Sequence, residues 1–195
     1  MSTLKVNAIT ETDGSAFPFG TILQVANTTL NTTATVTITN QYNNNSSNIY
    51  YVTGIDTTVT TTQTNSKLLI SASLSGEFSS RDDLFGFVLA STIGGTTAPI
   101  DALRAASAGN RPRYTAQPSI SFNSNDSDST PLTTQFSNYF YAPSQASGTA
   151  ITIRLGVACH TGGSQSFVVN GTIGTTDNTD FERLISHMTI MEVAA

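Results

Sequence analysis

The hydrophobic pattern along this chain has a period of two almost everywhere it has a period at all. In KLLISASLSGEF, Leu68, Ile70, Ala72 and Leu74 fall on one side and Ser71, Ser73 and Ser75 on the other. ATVTITN places Val36 and Ile38 on one side and threonines on the other. TAITIRLGVAC, with Ile151, Ile153, Leu155 and Val157 in phase, is the clearest strand of all. Such alternation marks a β-strand half-buried on a core. DLFGFVLAST puts Phe85, Phe87 and Leu89 on one face, and Gly86 between the aromatics marks a bulge or the close approach of another chain. TILQVANTTL changes phase at Val25 and predicts an irregular first strand. NIYYVTGI reads as a short apolar strand, and SFVVNGTIG as another, with Asn170-Gly171 as a hairpin signal. The closing segment FERLISHMTIMEVAA has Leu184, Ser186, Met188, Ile190 and Glu192 on one face and Ile185, His187, Thr189, Met191 and Val193 on the other. Both faces are partly apolar, which predicts a strand central in its sheet.

The stretches between are turn-rich. Ile93 to Asn110 is glycine-rich and then briefly helix-like at PIDALRAASAG, enough for one or two helical turns. NSNDSDST reads as an exposed loop after a strand around Ile120 to Phe122, and TTQFSNYFYAP as a strand ending in Tyr139, Phe140 and Tyr141, where core and interface roles weigh equally. About nine or ten strands with no helix of ordinary length predict an all-β fold, an antiparallel sandwich or jelly roll. No fixed-period repeat points to a propeller or solenoid. Residues 1–18 differ: Leu4, Val6 and Ile9 are their only large aliphatic side chains, and Asp13-Gly14 breaks the run. They read as an extended N-terminal arm that docks on a partner, ahead of a single β-domain over 19–195, a length one core accommodates.

Composition sharpens this picture. Charged residues make up 11% of the 195, against roughly 25% in an ordinary domain, and Thr, Ser, Asn and Gly fill the deficit. Ser, Thr and Asn compete with helical hydrogen bonding and Thr suits a pleated sheet. The formal net charge is −5 with only eight Lys and Arg. Arg104, Arg111 and Arg113 form the one local cluster, without interleaved aromatics, so they predict structural or interface contacts and no nucleic-acid binding. No apolar run reaches the roughly 20 residues of a membrane span, and no signal peptide is evident. The expectation is synthesis in the cytosol without membrane insertion, with any exit by a route other than secretion, such as particle assembly and cell lysis.

Candidate chemistry is sparse. Cys159 lies among apolar neighbours and reads as a buried small hydrophobe; adjacent His160 would point to the opposite face of the strand. Neither His160 nor His187 has a second ligand at metal spacing. The loop with Asn125, Asp126 and Asp128, and the acidic Glu77, Asp82 and Asp83, offer oxygen donors for calcium without a matching loop spacing. Asp56, Glu77, Asp82, Asp83 and Glu182 are the carboxylates available for glycoside cleavage, yet the chain has no Trp to stack on a sugar, and Glu182 with Arg183 reads as a surface or interface ion pair. IGG and TGGS are turns, not phosphate loops. The sequons at Asn27, Asn31, Asn45 and Asn170 follow from abundant Asn and Thr. The expectation is a non-enzyme with no catalytic residue, cofactor or metal.

The two ends carry the most specific motifs. STLKVNAITETDGS followed by FPFGTILQV, with Leu4, Lys5, Val6, Ile9, Gly14, Pro18, Gly20, Ile22, Gln24 and Val25, resembles the opening of small virion structural proteins of marine and cyanobacterial bacteriophages. The close, with Arg183, Ser186, Thr189, Met191, Glu192, Val193 and Ala194, is similar to theirs, as are KLLISASLSGEF and the loop AGNRPR at 108–113. Residues 114–150 carry no such match. The resemblance implies a trimeric jelly roll of the C1q and tumour-necrosis-factor type. It implies a virion protein: a tail-fibre or receptor-binding subunit, or alternatively a capsid decoration protein. A glycan-degrading tailspike is the alternative of another class. It places particle attachment at Leu4, Lys5, Val6 and Ile9, contacting other tail or capsid proteins. The trimer interface would involve Arg111, Arg113, Tyr139, Tyr141, Arg183 and Met191. The polar loops 42–48, 123–130 and 161–166 would face a host glycan or protein.

Overall fold

The computed structural model describes residues 20–43, 48–79, 85–118, 131–160, 164–174 and 182–195. Among these, eleven strands form two antiparallel sheets: β1 (Ile22–Leu30), β2 (Ala34–Ile38), β3 (Tyr50–Tyr51), β4 (Thr57–Thr60), β5 (Lys67–Phe78), β6 (Phe85–Ile93), β7 (Thr96–Pro99), β8 (Leu132–Tyr141), β9 (Ala150–Cys159), β10 (Gln165–Val169) and β11 (Ser186–Val193). The attachment residues and residues 1–18, the acidic pair at 82–83 and the loop at 123–130 lie outside the described residues.

Eight strands pair in nested fashion: β1 with β11, β4 with β9, β5 with β8, and β6 with β7. Two further pairings, β11 with β5 and β9 with β6, join these into the sheets β1-β11-β5-β8 and β4-β9-β6-β7. A long antiparallel hairpin rolled onto itself gives this order, so the fold is a jelly roll. β10 and β2 continue the first sheet beyond the far part of β5, and β3 lies on β9 next to β4.

The strand periodicity read from the sequence is the periodicity of burial. Leu68, Ile70, Ala72 and Leu74 of β5, Ile151, Ile153, Leu155 and Val157 of β9, and Met188 and Ile190 of β11 meet in one core. At its far end Phe78, Phe85, Phe87, Phe136 and Phe167 pack ring against ring, with Phe78 and Phe85 stacked at 4.0 Å between centroids. Cys159 is buried there. β11 sits between β1 and β5, the central place its two apolar faces predict. The phase change in β1 is a register shift between Ile22 and Gln24.

Several expectations change. NIYYVTGI supplies only the two-residue β3; the longer neighbour is the threonine-rich β4, which buries Thr57 and Val59 and exposes Thr58 and Thr60. The helix-like stretch closes a single 3-10 turn at Asp101–Leu103. Asn170-Gly171 does not turn a hairpin. Asn170 has positive φ, and its amide donates to the carbonyls of Leu30 (2.8 Å) and Thr32 (3.1 Å), tying the end of β10 to the end of β1. Glu182 and Arg183 are both exposed and are not among the salt bridges of the described residues.

The close approach at Gly86 comes from its own chain and not from another one: the Tyr114 ring lies where a β-carbon would be. Gly86→Ala should therefore push Tyr114 and the loop around it off β6. Overpacking of this kind costs about 1–3 kcal/mol. Urea denaturation would check it, and an unchanged midpoint would mean the loop yields freely.

Candidate functional site

The rolled topology sorts the loops onto two ends. At one end the chain enters β1 and leaves β11: Ala194 donates its amide to the Thr21 carbonyl at 2.8 Å. Loops 61–66 and 142–149 interlock beside it through Thr61 Oγ1 to the Ala146 carbonyl (2.7 Å), the Asn65 amide to the Gln145 carbonyl (2.8 Å) and Ser147 Oγ to the Thr62 carbonyl (2.9 Å). The carboxylate of Glu192 organises this end. It is fully buried and accepts from Gln24 Nε2 (2.6 Å), the Thr62 amide (2.7 Å), Thr62 Oγ1 (2.9 Å), the Gln63 amide (3.3 Å) and Ser66 Oγ (2.6 Å). Burial alone would raise its pKa. The hydrogen bonds from Ser66, Gln24 and Thr62 outweigh burial and hold it below the ordinary carboxylate value.

The opposite end gathers Tyr42, the 101–117 segment and the end of β9. The Tyr42 amide donates to the Cys159 carbonyl (2.7 Å), and Gln41 Nε2 to the His160 carbonyl (2.6 Å). Tyr42 is fully buried; its hydroxyl donates to the Arg113 carbonyl (3.0 Å) and accepts from Arg104 Nη1 (2.9 Å). Arg104 also pairs with Asp101, and Arg113 Nη1 stands 3.5 Å from the same carboxyl oxygen. Arg104 holds the Asp101 carboxyl below the ordinary range, by hydrogen bond and charge. Two members of the arginine cluster thus fasten their own loop, while Arg111 is exposed. The described parts of two polar loops, around 42–43 and 164–166, belong to this end, far from Gly20.

The outer face of the first sheet is the other candidate surface. Registers align Val25 with Met191, Met191 with Leu69, and Leu69 with Phe140. One apolar row therefore crosses all four strands β1, β11, β5 and β8. Its ends are open: Val25 is 57% exposed and Phe140 55%. The next row is small and polar, Asn27, Thr189 and Ser71, with Asn27 Nδ2 donating to Thr189 Oγ1 at 2.8 Å. Among the described residues, strand alternation places two charged side chains on this face, Lys67 at one end of β5 and the buried Glu77 at the other.

Of the residues expected at an interface, Met191 lies in this row. Arg183 is exposed just before β11. Tyr139 and Tyr141 turn the other way, packing on the core, and Tyr141 Oη lies 3.1 Å from Ser91 Oγ. A register shift in β8 changes the alternation, so the aromatic that projects is Phe140. That bulge was the missing signal: Asn138, with positive φ, marks it. Val25 and Leu69 went unnoticed because each reads as one more strand aliphatic until the registers line them up.

Among the described residues no three His, Cys, Asp or Glu side chains gather as a metal site, and no helix is long and apolar enough to cross a membrane. His160 and Cys159 point to opposite sides of the strand end: the thiol is in the core, while His160 Nδ1 stands 2.9 Å from the Tyr42 carbonyl.

No protein-family profile matches the chain, and no curated protein does. Solved structures with some likeness include that of infectious bursal disease virus, Gx strain, with 13% identity and a TM-score of 0.33 over 98% of this chain and 43% of that one. Another is the VP2 subviral particle of infectious bursal disease virus, with 13% identity and a TM-score of 0.35 over 97% of this chain and 46% of that one. The chain spans less than half the length of either, and the likeness is too distant to define a shared fold.

Proposed function

We propose that this chain is a non-enzymatic structural subunit of a bacteriophage particle, a trimeric tail-fibre or receptor-binding component. The observation that carries the reading is the separation of ends. The segment preceding β1 enters the domain beside the buried Glu192 network, and the polar loops around Tyr42 and 164–166 lie at the opposite end. A subunit held by its N-terminal arm would then present those loops outward, in line with the resemblance of its two ends to virion proteins.

The apolar row on the outer face supports self-association. Interface cores are depleted of charge, and a face whose described charges are Lys67 and the buried Glu77, of opposite sign and at opposite ends of β5, can meet copies of itself with little repulsion. Around a three-fold axis the same face of each copy turns inward, gathering the Val25–Met191–Leu69–Phe140 rows. Three copies would also multiply weak loop contacts into useful avidity.

Light scattering on a gel-filtration peak tests the assembly, and labelled antibody on intact particles tests the place. The expected mass is three times the 20.5 kDa chain, with label at the tail. A monomer would remove the trimer, and label over the whole shell would make the chain a capsid decoration protein instead.

A further inference from the structure

At the loop end, beside the Tyr42 anchor, the surface folds into a cavity of about 390 Å3. That lies within the roughly 300–1,000 Å3 typical of small-molecule sites. Its apolar wall is Ala105, Pro112, Ala116 and the Tyr114 ring; its polar groups are Thr115, Gln117 and His160. Among the described residues no charged side chain lines it. Arg104 and Arg113 lie nearby but are committed to Asp101, the Tyr42 hydroxyl and the Ala105 carbonyl. Burial, with Cys159 and Tyr42 beside it, pushes the Tyr114 phenol well above its ordinary pKa, so it stays neutral.

The polar groups have defined roles. A carbonyl can only accept, so the 2.9 Å contact to Tyr42 places the proton on His160 Nδ1. In that tautomer Nε2 is an acceptor. Thr115 Oγ1 accepts from the Leu89 amide at 3.0 Å and keeps its own hydrogen to donate. The Gln117 side chain is exposed and offers both a donor and an acceptor. The wall is rigid: the Tyr114 ring stacks on Tyr42 at 5.4 Å and lies over Gly86, and Ala116 bridges to Phe87.

We infer that this cavity binds an uncharged, hydroxyl-bearing ligand, a neutral sugar unit of a surface glycan. A sugar ring has one apolar face for the Ala-Pro-Tyr wall and hydroxyls that both donate and accept, which the Thr115, Gln117 and His160 set matches. The described lining holds no cation to offset the desolvation of an anionic sugar. The biological role rests on the host-contact reading above; the binding chemistry does not.

Saturation-transfer NMR on the full chain tests it, with methyl α-D-glucopyranoside and methyl α-D-galactopyranoside as neutral probes and the methyl α-glycoside of N-acetylneuraminic acid as the charged one. Transfer to a neutral glycoside is expected, lost in Ala105→Trp, which fills the cavity from an exposed position, and weakened about tenfold in His160→Phe, which keeps the ring and removes the acceptor. Gln117→Trp, at the exposed rim, serves if Ala105→Trp melts early. No transfer to either neutral glycoside overturns the inference, as does equal transfer in the filled variants or equal binding of the N-acetylneuraminic acid glycoside. Host-cell binding separates the two readings. Wild type and filled variant binding cells equally would sink the sugar site and spare host contact; wild type binding no cells while still taking the glycoside would do the reverse.

Discussion

Glu192→Ala should lower stability by about 3 kcal/mol, more than a typical single substitution. The carboxylate is fully buried and receives five hydrogen bonds. Bonds to a charged acceptor contribute more than neutral ones, and a buried donor left without a partner costs about 1–3 kcal/mol. Ser66 is itself buried, whereas Thr62 is exposed and can return to water, so the losses do not simply add. In a domain of this size the change corresponds to a fall of roughly 6–12 °C in melting temperature. Glu192→Gln keeps the shape but turns an amide NH2 toward a ring of donors, and should cost about 1–2 kcal/mol.

The same geometry sets a pH dependence. The folded pKa of Glu192 lies below the ordinary value of 4.5. Its contribution is therefore complete above that value and is lost as pH falls through the folded pKa. Wild type should lose part of its stability on acidification below about 4.5, and Glu192→Gln should lose less over the same interval. Thermal melts followed by circular dichroism at neutral and acid pH would read both effects. A glutamine variant melting within about 2 °C of wild type at neutral pH, with a parallel acid profile, would refute the latch.

The Glu192 latch also shows where the sequence is informative and where it stops. Alternation puts Glu192 on the same face as Met188 and Ile190, and both are core residues. A carboxylate in phase with a core stripe was thus visible; its donors were not, because Thr62, Gln63 and Ser66 lie about 126–130 residues away on another loop. β5, β6, β9 and β11 were legible because each carries its own period of two. β7 was not: Thr96–Pro99 is short, half exposed and hidden in a glycine-rich stretch, with Gly94 and Gly95 at positive φ making its hairpin. The inward turn of Tyr139 and Tyr141 depends on one bulge that shifts phase by a residue. The sugar-sized cavity was beyond reach, since one loop segment, 105–117, and the residue that follows β9 build it from positions with no common period.

Leu69→Asp should leave the protein folded and break the assembly. Leu69 stands in the middle of the apolar row, on the outer side of β5, and is half-buried in the single chain. An aspartate there can reach water in an isolated subunit, so the fold should be little perturbed. In a trimer with the rows facing one another, three carboxylates would be brought together around the axis and taken out of water. Desolvation and mutual repulsion act in the same direction, and the effective penalty for an unpaired buried charge is several kcal/mol per ion. An interface of ordinary affinity does not survive that at micromolar concentration, since 1.4 kcal/mol is already tenfold. Light scattering should show the variant at one third of the wild-type mass with an unchanged circular dichroism spectrum. Phe140→Asp, at the open end of the same row, should weaken assembly less, because β8 is an edge strand and its charge can escape to solvent. If Leu69→Asp kept the full mass, the subunits would have to meet through another surface, and Arg111 and Arg183, both exposed and away from the row, would be the next to change.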